Sequence, residues 1–202
     1  NAGKQEVIEI IHPKYLDEIK FSFIRQSEPN GLGHAILQAK HIITDDFFGI
    51  ILADDLILSE PGCFKQLLKV HEKTKSSVLG VFSASKNQVS NYGVISSKNI
   101  EGIEKVDDIV EKPQPAEAPS NLAVFGRYIL SKDIFSNIEQ TKPGLNNEIQ
   151  LTDAIQELIS NKDVFALEFE GRRYDCGSKE GFISAIIDRA KSIDKYKSII
   201  EK

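Results

Sequence analysis

Two adjacent carboxylates, Asp54 and Asp55, end an apolar run of the chain, residues 47–53. Such a run is typical of a buried strand. In an open α/β sheet the carboxyl end of a strand faces the ligand crevice, where one or two carboxylates hold Mg²⁺ together with substrate phosphates. The pair is equally typical of a solvated turn, so its meaning depends on the residues that accompany it.

A further carboxylate, Asp175, lies far along the chain in the run of residues 171–178, between a predicted strand and the last predicted helix. If Asp54 supplies one metal ligand, Asp175 could supply the second that a Mg²⁺ site needs. The alternative is that Asp175 only interacts with the dipole at the start of that helix.

Gly31 and Gly33 open a predicted helix, and Gln26 lies shortly before them. Glycines at this place allow backbone N–H groups to approach a ligand closely, and the amide of Gln26 can read a base edge through one donor and one acceptor. A turn followed by a helix cap is the alternative interpretation of the same residues.

Gly93 begins one predicted strand, while Glu111 and Lys112 follow another. The backbone at Gly93 could bind a polar ligand such as a sugar, or the glycine could mark a bulge. Lys112 could reach a phosphate as a point charge and Glu111 could accept hydrogen bonds from sugar hydroxyls. The alternative is a charged turn closed by Pro113.

The elements that must position these groups alternate between strands and helices. We predict strands at 20–26, 47–53, 77–82, 92–95, 106–110, 122–130 and 164–169, and helices at 31–40, 61–75, 151–159 and 179–200. This alternation favours the α/β class, with a mixed, mostly parallel sheet flanked by helices. We predict one domain over residues 1–202.

The composition excludes several classes of protein. With 202 residues, 41% of them hydrophobic, the chain is long enough to bury a core. The net charge of −5 argues against a general nucleic-acid binder. Cys63 and Cys176 cannot make a disulfide framework or a zinc cluster, which favours a reduced, cytoplasmic setting. No apolar run is long enough to span a membrane.

Eight short motifs, in this order and spacing, resemble those of the bacterial UTP–glucose-1-phosphate uridylyltransferase (UDP-glucose pyrophosphorylase) family. They are GLGHA at 31–35, LADDL at 52–56, YGV at 92–94, VEKP at 110–113, APSNLA at 118–123, GRY at 126–128, NEIQLTDA at 147–154 and GRRYDCG at 171–177. The resemblance implies a Rossmann-like nucleotide-diphospho-sugar transferase fold. It also implies the Mg²⁺-dependent reaction of UTP with glucose 1-phosphate, giving UDP-glucose and pyrophosphate.

The resemblance also implies roles for individual residues, and a possible homo-oligomer. It places the nucleotide at Gln26, Gly31, Ala53 and Asp54, although many relatives have glycine where this chain has Ala53. It places the metal on Asp54 and Asp175. It places the sugar phosphate at Gly93, Glu111, Lys112 and Asn121, with Lys112 on the phosphate itself. Asp54, Lys112 and Asp175 are then the residues that carry catalysis.

One departure from the family pattern is the absence of the glycine-rich loop that wraps the triphosphate. We therefore expect the chain to be the C-terminal major part of a longer enzyme, and to make no UDP-glucose alone. Two other interpretations stay open. One is another hexose-1-phosphate nucleotidylyltransferase that uses dTTP or GTP. The other is a non-catalytic module that binds sugar nucleotides.

Overall fold

A computed structural model describes residues 2–200 of the chain. Its strands are β1 (Phe47–Ile51), β2 (Asp55–Leu58), β3 (Ser77–Ser83), β4 (Gly93–Ile100), β5 (Ile103–Glu111), β6 (Leu122–Ser131), β7 (Val164–Glu168) and β8 (Arg172–Asp175). Its α-helices are α1 (Ala2–Ile11), α2 (Leu32–Leu37), α3 (Cys63–Thr74), α4 (Ile134–Gln140), α5 (Leu151–Asn161), α6 (Lys179–Lys191) and α7 (Asp194–Ile200). Short 3-10 helices lie at Lys14–Glu18, Val89–Asn91 and Leu145–Asn147.

Six of these strands form one sheet in the order β1-β6-β3-β7-β5-β4, with β4 also pairing to β6. The predicted α/β class with a mixed sheet is confirmed. The predicted predominance of parallel pairs needs correction, because β3 and β7 make the one parallel pair of this sheet between residues 2 and 200. The other pairs are antiparallel, including the long hairpin of β4 and β5.

The core lies on both faces of the sheet. On one face, Leu79 of β3 and Leu130 of β6 pack in a cluster with Ile155 and Leu158 of α5. On the other face, Val78 and Ile129 pack in a second cluster with Leu67 and Val70 of α3. Because β3 is covered on both sides, most of its residues are buried and its sequence is a continuous apolar run rather than an alternating one.

The predicted helix at 61–75 appears as α3, which buries Cys63, Leu67 and Val70 and ends at Thr74, followed by Lys75, whose φ of 54° is left-handed. The predicted strands at 77–82, 122–130 and 164–169 and the helix at 151–159 also appear, each within a few residues of its predicted bounds. The predicted strand at 47–53 corresponds to β1. β1 is a partly exposed edge strand rather than a buried one, since Ile51 is 61% exposed.

The segment of residues 20–26 is not the strand that its alternation predicts. A strand needs a hydrogen-bonded partner, and within the described part of the chain no backbone hydrogen bond joins this segment to another one. Its apolar side chains stay exposed, with Phe23 at 96%. The helix predicted at 179–200 is interrupted between α6 and α7.

None of the helices in the described part of the chain combines the length and the apolar character needed to cross a lipid bilayer.

Candidate active site

The turn between β1 and β2 presents two aspartates with opposite environments. The side chain of Arg127 fixes this turn by donating hydrogen bonds to the carbonyl oxygens of Leu52, at 3.1 Å, and of Asp55, at 2.6 Å. As a result, Asp54 is exposed at the tip of the turn, whereas Asp55 is buried at the start of β2.

A separate two-stranded ribbon brings Asp54 next to Asp175. β2 pairs antiparallel with β8, in a register that sets Asp55 opposite Asp175, and the N–H of Cys176 donates to the carbonyl oxygen of Asp54 at 2.8 Å. A Cβ atom at Gly177 would lie 3.1 Å from Asp175 Oδ1 and 3.4 Å from Asp54 Oδ2. Both carboxylates therefore border the same small space, which a larger residue at this position would fill.

A partly buried network of hydrogen bonds runs behind the two carboxylates. Asp55 accepts a hydrogen bond from Arg173 Nε and a second from the N–H of Gly126 at 2.8 Å. Arg173 Nη1 also donates to the hydroxyl of Tyr92 at 3.2 Å, and that hydroxyl donates to Asp175 Oδ2 at 3.1 Å. The network thus joins Asp55, through one arginine and one tyrosine, to Asp175.

The contacts within this hydrogen-bond network set the protonation states of Arg173 and Tyr92. Burial alone would lower the pKa of Arg173, but its hydrogen bond to Tyr92 and the neighbouring charge of Asp55 outweigh burial and keep the pKa above its ordinary value. Burial also raises the pKa of the Tyr92 phenol, which the bond from Arg173 opposes only in part. At neutral pH the guanidinium is therefore charged and the phenol protonated.

We predict that Asp55→Ala lowers the free energy of unfolding by about 3–5 kcal/mol, because it leaves the buried Arg173 without its counter-charge. Asp54→Ala is the matched control. The side chain of Asp54 is exposed, so its loss should change the free energy by less than about 0.5 kcal/mol. Urea unfolding measures both values. Equal values for the two variants would contradict the different roles assigned to these neighbours.

The opposite side of the site is built on the β4–β5 hairpin. Its register sets Gly93 opposite Glu111, and Glu111 Oε2 accepts a 2.6 Å hydrogen bond from the hydroxyl of Thr152 in α5. A Cβ at Gly93 would lie 3.0 Å from Thr152 Oγ1, so glycine leaves room for this contact. Lys112 follows β5 with a left-handed φ of 45°, and its Nζ lies 3.4 Å from Glu111 Oε1.

These two sides face each other across a cleft of about 370 Å³. Six of the residues singled out from the sequence line it: Asp54, Asp55, Gly93, Glu111, Lys112 and Asp175. Much of the remaining lining comes from β6 (Val124, Phe125, Gly126 and Tyr128) and from the start of α5 with the residues just before it (Glu148, Gln150, Leu151 and Thr152). The cleft therefore places five carboxylates, one lysine and one arginine around one space.

The other predicted residues lie outside the lining of the cleft. The amide of Gln26 donates to the carbonyl oxygen of Gly31 at 3.2 Å and contacts His34 Nδ1 at 3.0 Å. Gly31 has a φ of 93°, and a Cβ there would lie 2.8 Å from the carbonyl oxygen of Ile149. This glycine loop thus packs on the segment before α5, and its Leu32 does border the cleft.

Ala53 and Asn121 are both exposed. Ala53 lies in the turn beside Asp54, and Asn121 precedes β6, where its carbonyl oxygen accepts the N–H of Ala84 at 2.8 Å. Neither side chain borders the cleft, so the nucleotide contact of Ala53 and the sugar contact of Asn121 stay predictions.

Sequence reasoning did not assign Tyr92, Arg173 or Thr152 to the site, although each belongs to one of the eight motifs. Their side chains make the contacts that hold Asp175, Asp55 and Glu111. The motifs YGV, GRRYDCG and NEIQLTDA could have directed attention to these residues. The motifs alone do not reveal which of their side chains point into the site.

The residues around Gly177 fit a Mg²⁺ ion. Mg²⁺ keeps several waters and takes one or two protein carboxylates together with substrate phosphates, and Asp54 and Asp175 supply such a pair. Among residues 2–200 no cluster of three or more His, Cys, Asp or Glu side chains forms a complete protein cage, which is the form of site that Mg²⁺ seldom uses.

An α/β fold with a mixed sheet, two converging carboxylates and a lysine–glutamate pair across one cleft is typical of the class of proteins that bind phosphorylated ligands. The protein-family comparison narrows this class. The family model described as "Nucleotidyl transferase" matches residues 3–192, and the chain belongs to that family.

Individual relatives are similar over most of the chain. A UTP--glucose-1-phosphate uridylyltransferase of Pseudomonas aeruginosa is 45% identical over 175 residues, which cover 85% of this chain and 63% of the relative. The chain spans 63% to 67% of the length of the curated relatives that it matches here.

Solved structures show the same similarity. A crystal structure of UDP-glucose pyrophosphorylase complexed with UDP-glucose superposes with a TM-score of 0.88 at 42% identity, covering 95% of this chain and 73% of that chain. A UTP-bound UGPase from Acinetobacter baumannii superposes with a TM-score of 0.80 at 29% identity, and the match covers 100% of this chain and 75% of that chain.

Proposed function

We propose that this chain carries the uridylyl-transfer site of a UTP–glucose-1-phosphate uridylyltransferase, which converts UTP and glucose 1-phosphate to UDP-glucose and pyrophosphate. The observation that carries the proposal is the cleft itself, where the paired carboxylates of Asp54 and Asp175 face Lys112 and Glu111. The similarity to uridylyltransferases over most of the chain supports the choice of nucleotide and sugar.

We assign one group of cleft residues to the binding of glucose 1-phosphate. Lys112 holds the phosphate of the sugar phosphate and offsets its repulsion from the triphosphate. Glu111, oriented by Thr152, accepts hydrogen bonds from sugar hydroxyls, and the backbone at Gly93 lies opposite it. A phosphate monoester is already an anion at neutral pH, so its oxygen needs no general base. That oxygen attacks the α-phosphorus of UTP in line, and pyrophosphate leaves.

Asp54 and Asp175 would hold Mg²⁺ at the edge of the cleft. The chemistry that this ion would supply is neutralisation of the negative charge on the reacting phosphates. Positioning of the two substrates by the protein provides the remaining part of the rate enhancement. We assign the nucleotide to the glycine loop of Gln26 and Gly31 and to the backbone at Ala53, as the family resemblance implies.

Two alternative functions remain, and the set of residues in the cleft is a reason against one of them. A non-catalytic module could lose any one of the residues Asp54, Asp175 and Lys112 freely, yet all three border the cleft. A nucleotidylyltransferase that uses dTTP or GTP would need the same three residues, so only the choice of substrate separates it from the proposed enzyme.

A substrate panel tests the proposal. The intact protein is incubated with Mg²⁺, one of UTP, dTTP, GTP or ATP, and one of several hexose 1-phosphates, and pyrophosphate release is measured for each pair. We expect the highest kcat/KM for UTP with glucose 1-phosphate. A preference for dTTP or GTP would favour the other nucleotidylyltransferase, and binding of UDP-glucose without turnover of any pair would favour the module.

The proposal includes a single nucleotidyltransferase domain over residues 1–202 and a cytoplasmic location. Both thiols are free in the described part of the chain, in line with the reduced setting predicted from the sequence. Burial raises the pKa of the Cys63 thiol to about 11, so this thiol is protonated at neutral pH, and we assign neither cysteine a catalytic role.

A further inference from the structure

Tyr92 contacts both halves of the site. Its hydroxyl donates to Asp175 Oδ2 at 3.1 Å on the cation side. Its carbonyl oxygen accepts the backbone N–H of Lys112 at 3.0 Å on the sugar-phosphate side. The residue that follows it, Gly93, pairs with Glu111.

The direction of the hydroxyl proton follows from its partners. Arg173 Nη1 lies 3.2 Å from the hydroxyl oxygen, and a guanidinium can only donate. The hydroxyl therefore accepts a hydrogen bond from Arg173 and donates one to Asp175. The guanidinium also stacks on the Tyr92 ring, 4.9 Å from its centroid, while Asp55 holds its other edge. Ring and hydroxyl are thus both held in place.

These contacts make the two candidate metal ligands unequal. Asp175 Oδ2 is held by Tyr92, and Asp175 Oδ1 accepts the N–H of Gly177 at 3.1 Å. The carboxylate of Asp54 makes no hydrogen bond to the part of the chain that the structure describes, and it is exposed. One ligand is therefore fixed before a cation arrives, and the other is free to adjust to it.

We propose that Tyr92 is a positioning residue that orients the Asp175 carboxylate toward the cation, and that Arg173 acts behind it by fixing its hydroxyl. The proposal rests on the proposed function, because it assumes that Asp54 and Asp175 bind a divalent cation. Partners that orient a metal ligand typically change metal affinity by about 10- to 100-fold when they are removed.

The first test is Tyr92→Phe in the intact protein, with Mn²⁺ affinity measured by electron paramagnetic resonance in the presence of UDP-glucose. We expect a loss of about tenfold or more, because phenylalanine keeps the ring and the backbone contact to Lys112 but removes the hydroxyl. Tyr174→Phe is the matched control. It removes a hydroxyl from the buried neighbour of Asp175, one that donates to Asp188 at 2.9 Å instead, so Mn²⁺ affinity should stay within about twofold.

The second test asks whether Tyr92 acts through Asp175. In an Asp175→Asn background, adding Tyr92→Phe should change Mn²⁺ affinity by no more than about twofold, since the oriented carboxylate is already lost. An equal loss in both backgrounds would overturn the proposal, and so would unchanged affinity in the single variant. Circular dichroism and melting of each variant separate these results from misfolding.

The outcomes also separate this proposal from the one on which it rests. If the unaltered protein binds UDP-glucose and Mn²⁺ but Tyr92→Phe behaves like Tyr174→Phe, only the positioning role fails. If the unaltered protein binds UDP-glucose with the same affinity whether or not Mn²⁺ is present, and binds no Mn²⁺ itself, the cation site and the positioning role fail together.

Discussion

Asp54→Asn is expected to reduce turnover of UTP and glucose 1-phosphate by about a hundredfold or more, with little change in the fold. The amide keeps the size of the side chain but removes the charge that a hard cation requires. A cation that neutralises the reacting phosphates contributes several kcal/mol to transition-state stabilisation, and each tenfold in rate corresponds to about 1.4 kcal/mol. Because Asp54 is exposed at the tip of a turn that Arg127 fixes, its replacement should leave that turn intact.

Steady-state pyrophosphate release by the intact protein measures this effect, with Asp175→Asn as the companion variant. Asp45→Asn is the control, because Asp45 is an exposed aspartate at the opposite end of β1. We expect the first two variants to lose activity and the control to keep it. Near-normal turnover for either Asp54→Asn or Asp175→Asn would show that its carboxylate serves only the turn or the helix start.

Lys112→Ala is expected to weaken the use of glucose 1-phosphate by about ten- to a hundredfold, because a charge-assisted hydrogen bond to a phosphate contributes about 1.5–3 kcal/mol. Lys112 borders the cleft beside Glu111, and its backbone N–H is held by the carbonyl of Tyr92. Removing the side chain should therefore delete the charge and leave the backbone path unchanged. The affinity for UTP should change much less, because the proposed nucleotide contacts are elsewhere.

Separate KM values for UTP and glucose 1-phosphate test this expectation. Lys98→Ala is the control, since it removes an exposed lysine of the same hairpin, whose Nζ lies 3.0 Å from Asp107. An equal loss for both substrates would mean that Lys112 supports the cleft as a whole. A loss for UTP alone would mean that the two substrates have been assigned to the wrong sides.

The elements with strong periodicity could be predicted from the sequence. The apolar face of α5 is complete at Leu151, Ala154, Ile155 and Leu158, all of which are buried. β3 is a continuous apolar run. By contrast, β8 consists of Arg172, Arg173, Tyr174 and Asp175, and so short a polar segment carries no strand signal. Its existence depends on pairing with β2, which is a tertiary contact.

The same reason limits what the sequence could say about the site. The residue types of Asp54, Asp175, Lys112 and Glu111 suggested their chemistry, and the structure brings all four to one cleft. The contact between Tyr92 and Asp175 joins residues 83 positions apart, and no local pattern encodes it. For residues 20–26 the strand prediction was wrong. Their alternation is a local strand signal, but no strand in the described part of the chain pairs with them.

The ribbon of β2 and β8 also links the proposed cation site to the order of folding. Arg173 and Asp55 lie 118 positions apart, so pairing these strands closes a long loop whose entropy the rest of the fold must offset. An intermediate with only the local β4–β5 hairpin would already hold Lys112 beside Glu111 but would lack the paired carboxylates. We therefore expect cation-dependent ligand binding to return only when refolding is complete, and a bound ligand to favour the native state by mass action.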